Sequence, residues 1–403
     1  MIPIIMLAVF VIPMGISGTA IALPRIAHEL GSDPTRLQWV VNGFNVTFAV
    51  FGLVWGVASD RIGYRRTFRI GVGLLLVASA TSALAPNLTV LDAARLVAGV
   101  GGAAVATGAS SLLSNGFEGA ERKRAFAVFG TVIGLGLALS PTISGALIAA
   151  FDWRGVFVAH ALLAVPGLAL SGLLPNPRTT NTRKTDFSLL RNRYFLGLTL
   201  VTVAGAFGFV TLLTYLPVAL SGVADLSAGT AGLLMLPMTI PVLVGPVLGM
   251  RGSPRTVIAV SLAALILGSL GMLLLQPGIW LGWLVIPMLL IGFGFGLPLG
   301  RIDAEALATV PAHSTGTASG VLNLVRIGSE AVAVGAYAVT ITWLIGRSSP
   351  NSDIAHATAA GHPGQAAVYA EAFHWMMLGQ AVVVAVVAVA IARLGTARSH
   401  ALN

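Results

Sequence analysis

Gly56-Val-Ala-Ser-Asp60-Arg61-Ile-Gly63-Tyr-Arg65-Arg66 joins two long apolar runs and gathers one acid, three arginines and a turn glycine into eleven residues. Charge at this density is costly inside a bilayer, so the stretch belongs at a membrane surface. Gly63 suits a tight reversal because it takes φ > 0 without a Cβ clash. The arginines suit the cytoplasmic face, where positive charge is retained during insertion. Asp60, one anion among cations at a helix end, calls for a specific partner.

The rest of the chain agrees with a membrane setting. Of 403 residues, 56% are hydrophobic and 9% charged, against roughly 25% charged in soluble proteins. A polytopic, all-α bundle is expected, because every backbone polar group in lipid needs an internal partner. A β-barrel would need alternating segments of about ten residues, and the runs here are longer and continuous. There is no cysteine, which excludes disulfides and thiolate metal sites. The net charge of +9 follows insertion rules in short loops and does not point to nucleic acid.

Twelve runs are long enough to span the hydrocarbon core: approximately 3–24, 37–57, 68–85, 91–114, 124–150, 155–175, 194–220, 229–250, 255–275, 279–300, 315–346 and 368–393. No basic residue precedes Arg25, so the apolar start is read as an uncleaved first helix. Placing both termini in the cytoplasm puts seventeen of the 23 basic residues on that side and four (Arg25, Arg36, Arg154, Arg347) on the other. The polar stretch 177–193 reads as a cytoplasmic linker between two six-helix halves, 1–176 and 194–403. A weak repeat supports the halves: Gly245, Gly252 and Arg255 match Gly56, Gly63 and Arg66 at an offset of 189, with Gly249 standing where Asp60 does.

The opening stretch resembles the signature loop of the major facilitator superfamily, with Gly56, Asp60, Arg61, Gly63, Arg65 and Arg66 all matching. Arg95-Leu-Val-Ala-Gly99-Val-Gly101-Gly102 resembles the family's motif in the fourth helix, and Ala98 stands where relatives carry glutamine. The fifth run, with Gly136, Pro141 and Gly145, resembles the antiporter motif, although Ser140 and Ser144 replace two of its glycines. Asp152-Trp153-Arg154, Ile21-Ala22-Leu23-Pro24 and Leu37-Gln38-Trp39 resemble the multidrug, drug:proton antiporter branch. Where that branch carries an acid about nine residues before the proline, this chain has Gly15. His160 stands where relatives commonly have asparagine.

The resemblance implies a transporter rather than an enzyme. It implies proton-coupled efflux of small hydrophobic or cationic compounds, by alternating access around a cavity between the halves. Asp60 would act as a conformational latch, held by a helix N-terminus and neighbouring arginines. Arg95 is the candidate that relatives associate with proton coupling. Arg326 and Glu330, four apart on one helical face, add two more candidates, because an intramembrane acid is a functional hypothesis by default. Gln38, Trp39, Asn42, Asn45 and Tyr215 are candidates to line the substrate cavity. Glu371 and His374 read as a solvated outer pair, and Asp303 and Glu305 as helix-end or gate charges. The seven histidines are scattered without metal-ligand spacing, so neither metal nor cofactor is expected. The expected partners are a small-molecule substrate, protons and membrane lipids, around a monomer in a bacterial plasma membrane. An uptake symporter for a small metabolite, and a transport-inactive sensor on the same fold, are the alternatives.

Overall fold

The computed structural model describes residues 1–31, 34–175, 188–226, 228–349, 351–359 and 361–395, and these are almost wholly helical. Among them, nine helices are long and apolar enough to cross a membrane, and ten if the bent pair Ile2–Ile16 and Thr19–Leu30 is one span. Leu236–Gly249 is apolar but shorter. Tyr64–Ala83 is long enough but carries Arg65, Arg66 and Arg69 in its first two turns. Together these are the twelve spans that the apolar runs predict.

In chain order, α1 comprises Ile2–Pro13, a wider π-wound turn over Met14–Gly18, and Thr19–Leu30. α2 is Pro34–Ile62, α3 is Tyr64–Ala83 and α4 is Leu88–Gly116. Helical backbone then runs over Gly119–Leu170 and breaks at Asp152 (φ 58°, ψ −178°), dividing α5 (119–151) from α6 (153–170). A non-glycine residue at such angles costs roughly 1–3 kcal/mol, and here the Asp152 carboxylate accepts the Trp153 N–H at 2.7 Å. Residues 176–187 of the expected linker lie outside the described residues, and Ser188–Arg191 leads into the next span as a short 3-10 turn.

α7 joins Arg193–Gly205, a second π-wound turn over Ala206–Val210, and Thr211–Ala224. α8 is Ala228–Leu234 followed by Leu236–Gly249. α9 is Pro254–Gly271. α10 joins Val285–Gly296 to Arg301–Ala308 through Gly300, whose φ is 74°. α11 is Thr315–Ser348, and α12 is Ala366–Gly395 after a short helix at Ser352–Ala359.

Contacts divide the chain into two compact units. The first is Met1–Phe195 with Gly300–Gly328, and the second is Leu196–Leu299 with the chain from Ser329 onward. In the first unit α4 is the hub: it packs along α2 and α3, and most of its residues are buried. Small residues such as Ala103, Ala104, Gly101 and Gly108 let those backbones approach, as in other membrane bundles. In the second unit α10 packs against α8 and α9, and α12 against α7 and α9.

Candidate functional site

The opening stretch builds the first site within the first unit. α2 ends at Ile62, and Gly63 at φ 96° reverses the chain into α3, as the sequence predicts. The turn leaves Asp60 6% exposed, beside the first turn of α11. The Asp60 carboxylate accepts the backbone N–H groups of Gly316 and Thr317, both at 2.8 Å, and the Thr317 hydroxyl at 2.6 Å. These amides are among the donors that a helix start cannot satisfy internally, so Asp60 caps α11 from a helix 256 residues earlier. Tyr64 completes the clasp. Its hydroxyl accepts from Thr315 at 3.0 Å and lies 3.1 Å from Asp60 Oδ1 and 2.6 Å from the Ala312 carbonyl. With one proton to give, it donates to the nearer Ala312 oxygen.

Gly56 sits one helical turn back. A Cβ there would lie 2.8 Å from the Gly316 carbonyl oxygen and 3.0 Å from the Gly320 Cα. Glycine is therefore what lets α2 and the start of α11 cross closely enough for Asp60 to reach. Of the arginines, Arg65 donates to the carbonyls of Gly172 and Leu174 at 3.3 and 3.2 Å, a cation at the end of α6, where such charge is favoured. Arg61 and Arg66 lie on the exposed side of the turn.

The second site surrounds Arg95, which is 2% exposed. Its Nε donates to the Val40 carbonyl at 2.9 Å and its Nη2 to the Gly15 carbonyl at 2.5 Å. The guanidinium lies 4.8 Å from the Phe44 ring centroid and 5.7 Å from that of Phe157. One side chain of α4 thus touches α1, α2 and α6. Gly15, in the π-wound turn of α1, offers a backbone oxygen where the resemblance leads one to expect an acid. His160 is buried beside Phe157, with ring centroids 6.0 Å apart, and its Nε2 has no hydrogen-bond partner among the described residues. On the neighbouring turn, Glu29 accepts from Trp153 Nε1 at 2.6 Å and pairs with Arg154 at 2.5 Å. The Asp152-Trp153-Arg154 stretch thereby ties α6 to the end of α1.

The remaining candidates are not gathered at one point. Arg326 pairs with Asp303 through both carboxylate oxygens at 2.8 Å, and Arg301 with Glu305 at 3.1 Å. Asp303 stands in the first turn of Arg301–Ala308, the helix-end position the sequence predicts, and is buried there. It lies just beyond the apolar run 279–300, and its pairing with an arginine 23 residues on leaves no local pattern in the sequence. Glu330 is half-buried. Gly136 lies against Pro13 of α1, whereas Gly145 faces open space; the side chain of Pro141 lies outside the described residues, as does that of Gln38. Trp39 and Asn42 are exposed, and Asn45 is half-buried with an Oδ1 that lacks a partner among the described residues. Tyr215 is half-buried and stacks on Tyr337. His374 bonds the Leu275 carbonyl through Nε2 at 2.8 Å.

A bundle of twelve apolar spans, capped and clasped by side chains at its helix ends, defines a multi-pass membrane protein. Its family follows from comparison: a model of the Major Facilitator Superfamily matches residues 5–334, and the chain belongs to that family. Its members are carriers of small molecules, not enzymes. The chain is similar to puromycin resistance protein pur8 of Streptomyces alboniger, at 29% identity over 377 residues, covering 75% of this chain and 74% of that protein. It is similar to multidrug resistance protein Stp of Mycobacterium tuberculosis at 26% identity over 401 residues, covering 82% and 74%. The fold matches the solved proton:xylose symporter XylE with a TM-score of 0.71 at 13% identity, over 94% of each chain. It also matches the human organic anion transporter MFSD10 with a TM-score of 0.67 at 16% identity, over 95% of this chain and 98% of that one.

Proposed function

We propose that this chain exports small, largely hydrophobic or cationic compounds across a bacterial plasma membrane in exchange for protons, by alternating access. The halves 1–176 and 194–403 move as bodies joined by 177–193, with both termini in the cytoplasm. The observation that carries the reading is the Asp60 clasp. A carboxylate held by two amides and a hydroxyl is a set of contacts that can break together and reform. An acid at a helix N-terminus contributes about 0.3–1 kcal/mol, up to ~2 when partly buried. Each hydrogen bond to a charged group adds roughly 1.5–3 kcal/mol. That is enough to favour one conformer and little enough for substrate binding to overcome. The direction is supported by the names of the relatives, which are resistance and efflux proteins. Proton exchange rests on the resemblance to antiporters and on the intramembrane charges of α4 and α11.

The test is a susceptibility panel, including puromycin, in an efflux-deficient host, followed by everted vesicles. Export predicts raised tolerance to at least one compound and accumulation in everted vesicles whose interior is acid. Accumulation only in right-side-out vesicles would make the protein an uptake symporter. Absence of any substrate-dependent proton flux would make it a sensor on a carrier fold.

A further inference from the structure

Three tyrosines of the second unit come together from three helices: Tyr215 of α7, Tyr337 of α11 and Tyr369 at the start of α12. Tyr215 and Tyr337 stack, with ring centroids 4.4 Å apart and planes 12° from parallel. Tyr369 packs beside Gly222, near the end of α7. Gly222 lies two helical turns from Tyr215 on the same face of α7, so Tyr337 and Tyr369 pack along one side of that helix. Tyr337 is 3% exposed and Tyr369 0%, yet neither hydroxyl oxygen has a hydrogen-bond partner among the described residues. Phenylalanine would fill the same space without stranding two hydroxyls, and buried polar groups left unmade are rare and call for an explanation. Tyr215 differs: it is half-buried, and its hydroxyl reaches the Val334 carbonyl only at 3.4 Å, the long limit of a hydrogen bond. It is the loosely held member and the one nearest to access.

We propose that this cluster is a binding site for a planar, uncharged aromatic compound bearing a carbonyl-type acceptor. Tyr215 swings aside, the ligand's ring takes its place against Tyr337, and the acceptor receives the hydroxyls of Tyr337 and Tyr369. Phenols carry no formal charge, so selection falls on ring face and acceptor rather than on ligand charge. A ligand without the acceptor leaves both hydroxyls as they are and gains only stacking, which is the kind of difference that a polar site discriminates well. The site deepens the export reading by naming a substrate class, and its binding test does not depend on transport.

The experiment compares 9-fluorenone with fluorene, which share three planar rings and differ in one carbonyl. Both are titrated into the full chain in nanodiscs, with empty nanodiscs subtracted. Fluorenone should bind about tenfold tighter, equivalent to about 1.4 kcal/mol. Tyr337→Phe and Tyr369→Phe should each reduce that ratio several-fold while keeping the ring that fluorene stacks on and leaving thermal stability no lower, since each removes a stranded hydroxyl. A wild-type ratio of one, no saturable fluorenone binding, or phenylalanine variants that keep the ratio would each overturn the site. Export of other compounds alongside a ratio of one would remove the tyrosine site and leave the export reading standing. A tenfold ratio in a chain that exports nothing would do the reverse.

Discussion

Asp60 is bound by donors alone: two amides and a hydroxyl converge on its two oxygens, with Tyr64 alongside. Asparagine at this position keeps one acceptor oxygen but turns an amide NH2 toward donors it cannot bond. Each buried donor so stranded costs roughly 1–3 kcal/mol. We expect Asp60→Asn to bind substrate with near wild-type affinity but to turn over at less than about a tenth of the wild-type rate, since 1.4 kcal/mol is already tenfold. Proteoliposome flux set beside equilibrium binding reads both, and normal turnover would refute the latch. The need for a partner was legible in the sequence, because a single acid among arginines at a helix end must be compensated. The partner was not, since it consists of backbone amides 256 residues away, and backbone amides have no sequence signature. Arg95 repeats the lesson. Its burial could be argued from its place in an apolar run, but its partners are the carbonyls of Val40 and Gly15, which any residue would supply. The substitution of Gly15 for an acid was visible; that it leaves an oxygen within reach of Arg95 is a property of the π-wound turn.

Helix crossings show the same division between what spacing tells and what packing adds. Gly56 was readable as part of a motif, yet its physical task is set by Gly316 and Gly320 opposite it. Gly56→Ala must push α2 and α11 apart by several tenths of an ångström or more, because its new methyl meets backbone and not a movable side chain. Overpacking of this kind costs about 1–3 kcal/mol, and it also lengthens every bond of the Asp60 clasp. We expect a lowered unfolding midpoint together with impaired flux, and unchanged flux would show that the crossing can yield. The α7–α9–α12 contact is predicted to be more forgiving. Gln380 there joins Thr211 at 3.1 Å, Ser269 at 2.8 Å and the Gly208 carbonyl at 3.2 Å. Thr211 and Ser269 also donate to their own helices, at 2.6 and 2.8 Å, so neither is stranded by Gln380→Leu. Interhelical hydrogen bonds in membranes average about 0.6 kcal/mol and reach ~1.7. The loss should therefore be near 1 kcal/mol in an SDS unfolding titration, smaller than that of Gly56→Ala. A larger loss would mean that the network acts as a unit. Gln380 carries no signal in the sequence, because a lone glutamine in an apolar run has no spacing that names its partners.

At the scale of the molecule the question is where a transported proton would reside. The twelve runs and their charge asymmetry were legible because lipid imposes length and sign on every span. Coupling was not, because it depends on which buried charges already have counter-ions. Spacing places Arg326 and Glu330 on one helical face, and Arg326 is bound in addition through both oxygens of Asp303. Its charge is thus compensated whatever the protonation state of Glu330. We therefore expect that Glu330 can exchange a proton while Asp303 keeps Arg326 compensated, which would give the two acids different tasks. Glu330→Gln should leave a folded, correctly inserted protein that still catalyses substrate exchange between equal pools but no longer responds to a pH gradient. Asp303→Asn should instead remove the bidentate carboxylate partner of Arg326, and breaking a buried ion pair costs about 3–5 kcal/mol. It should be seen as poor yield or a lowered unfolding midpoint, before any kinetic effect can be read. The contrast protects the test: two carboxylates on adjoining helices are neutralised in the same way, and only one change should uncouple transport from protons while sparing the fold. If Glu330→Gln retains the wild-type pH dependence, the proton is carried elsewhere. The next group to change is then His160, whose buried Nε2 lacks a partner among the described residues.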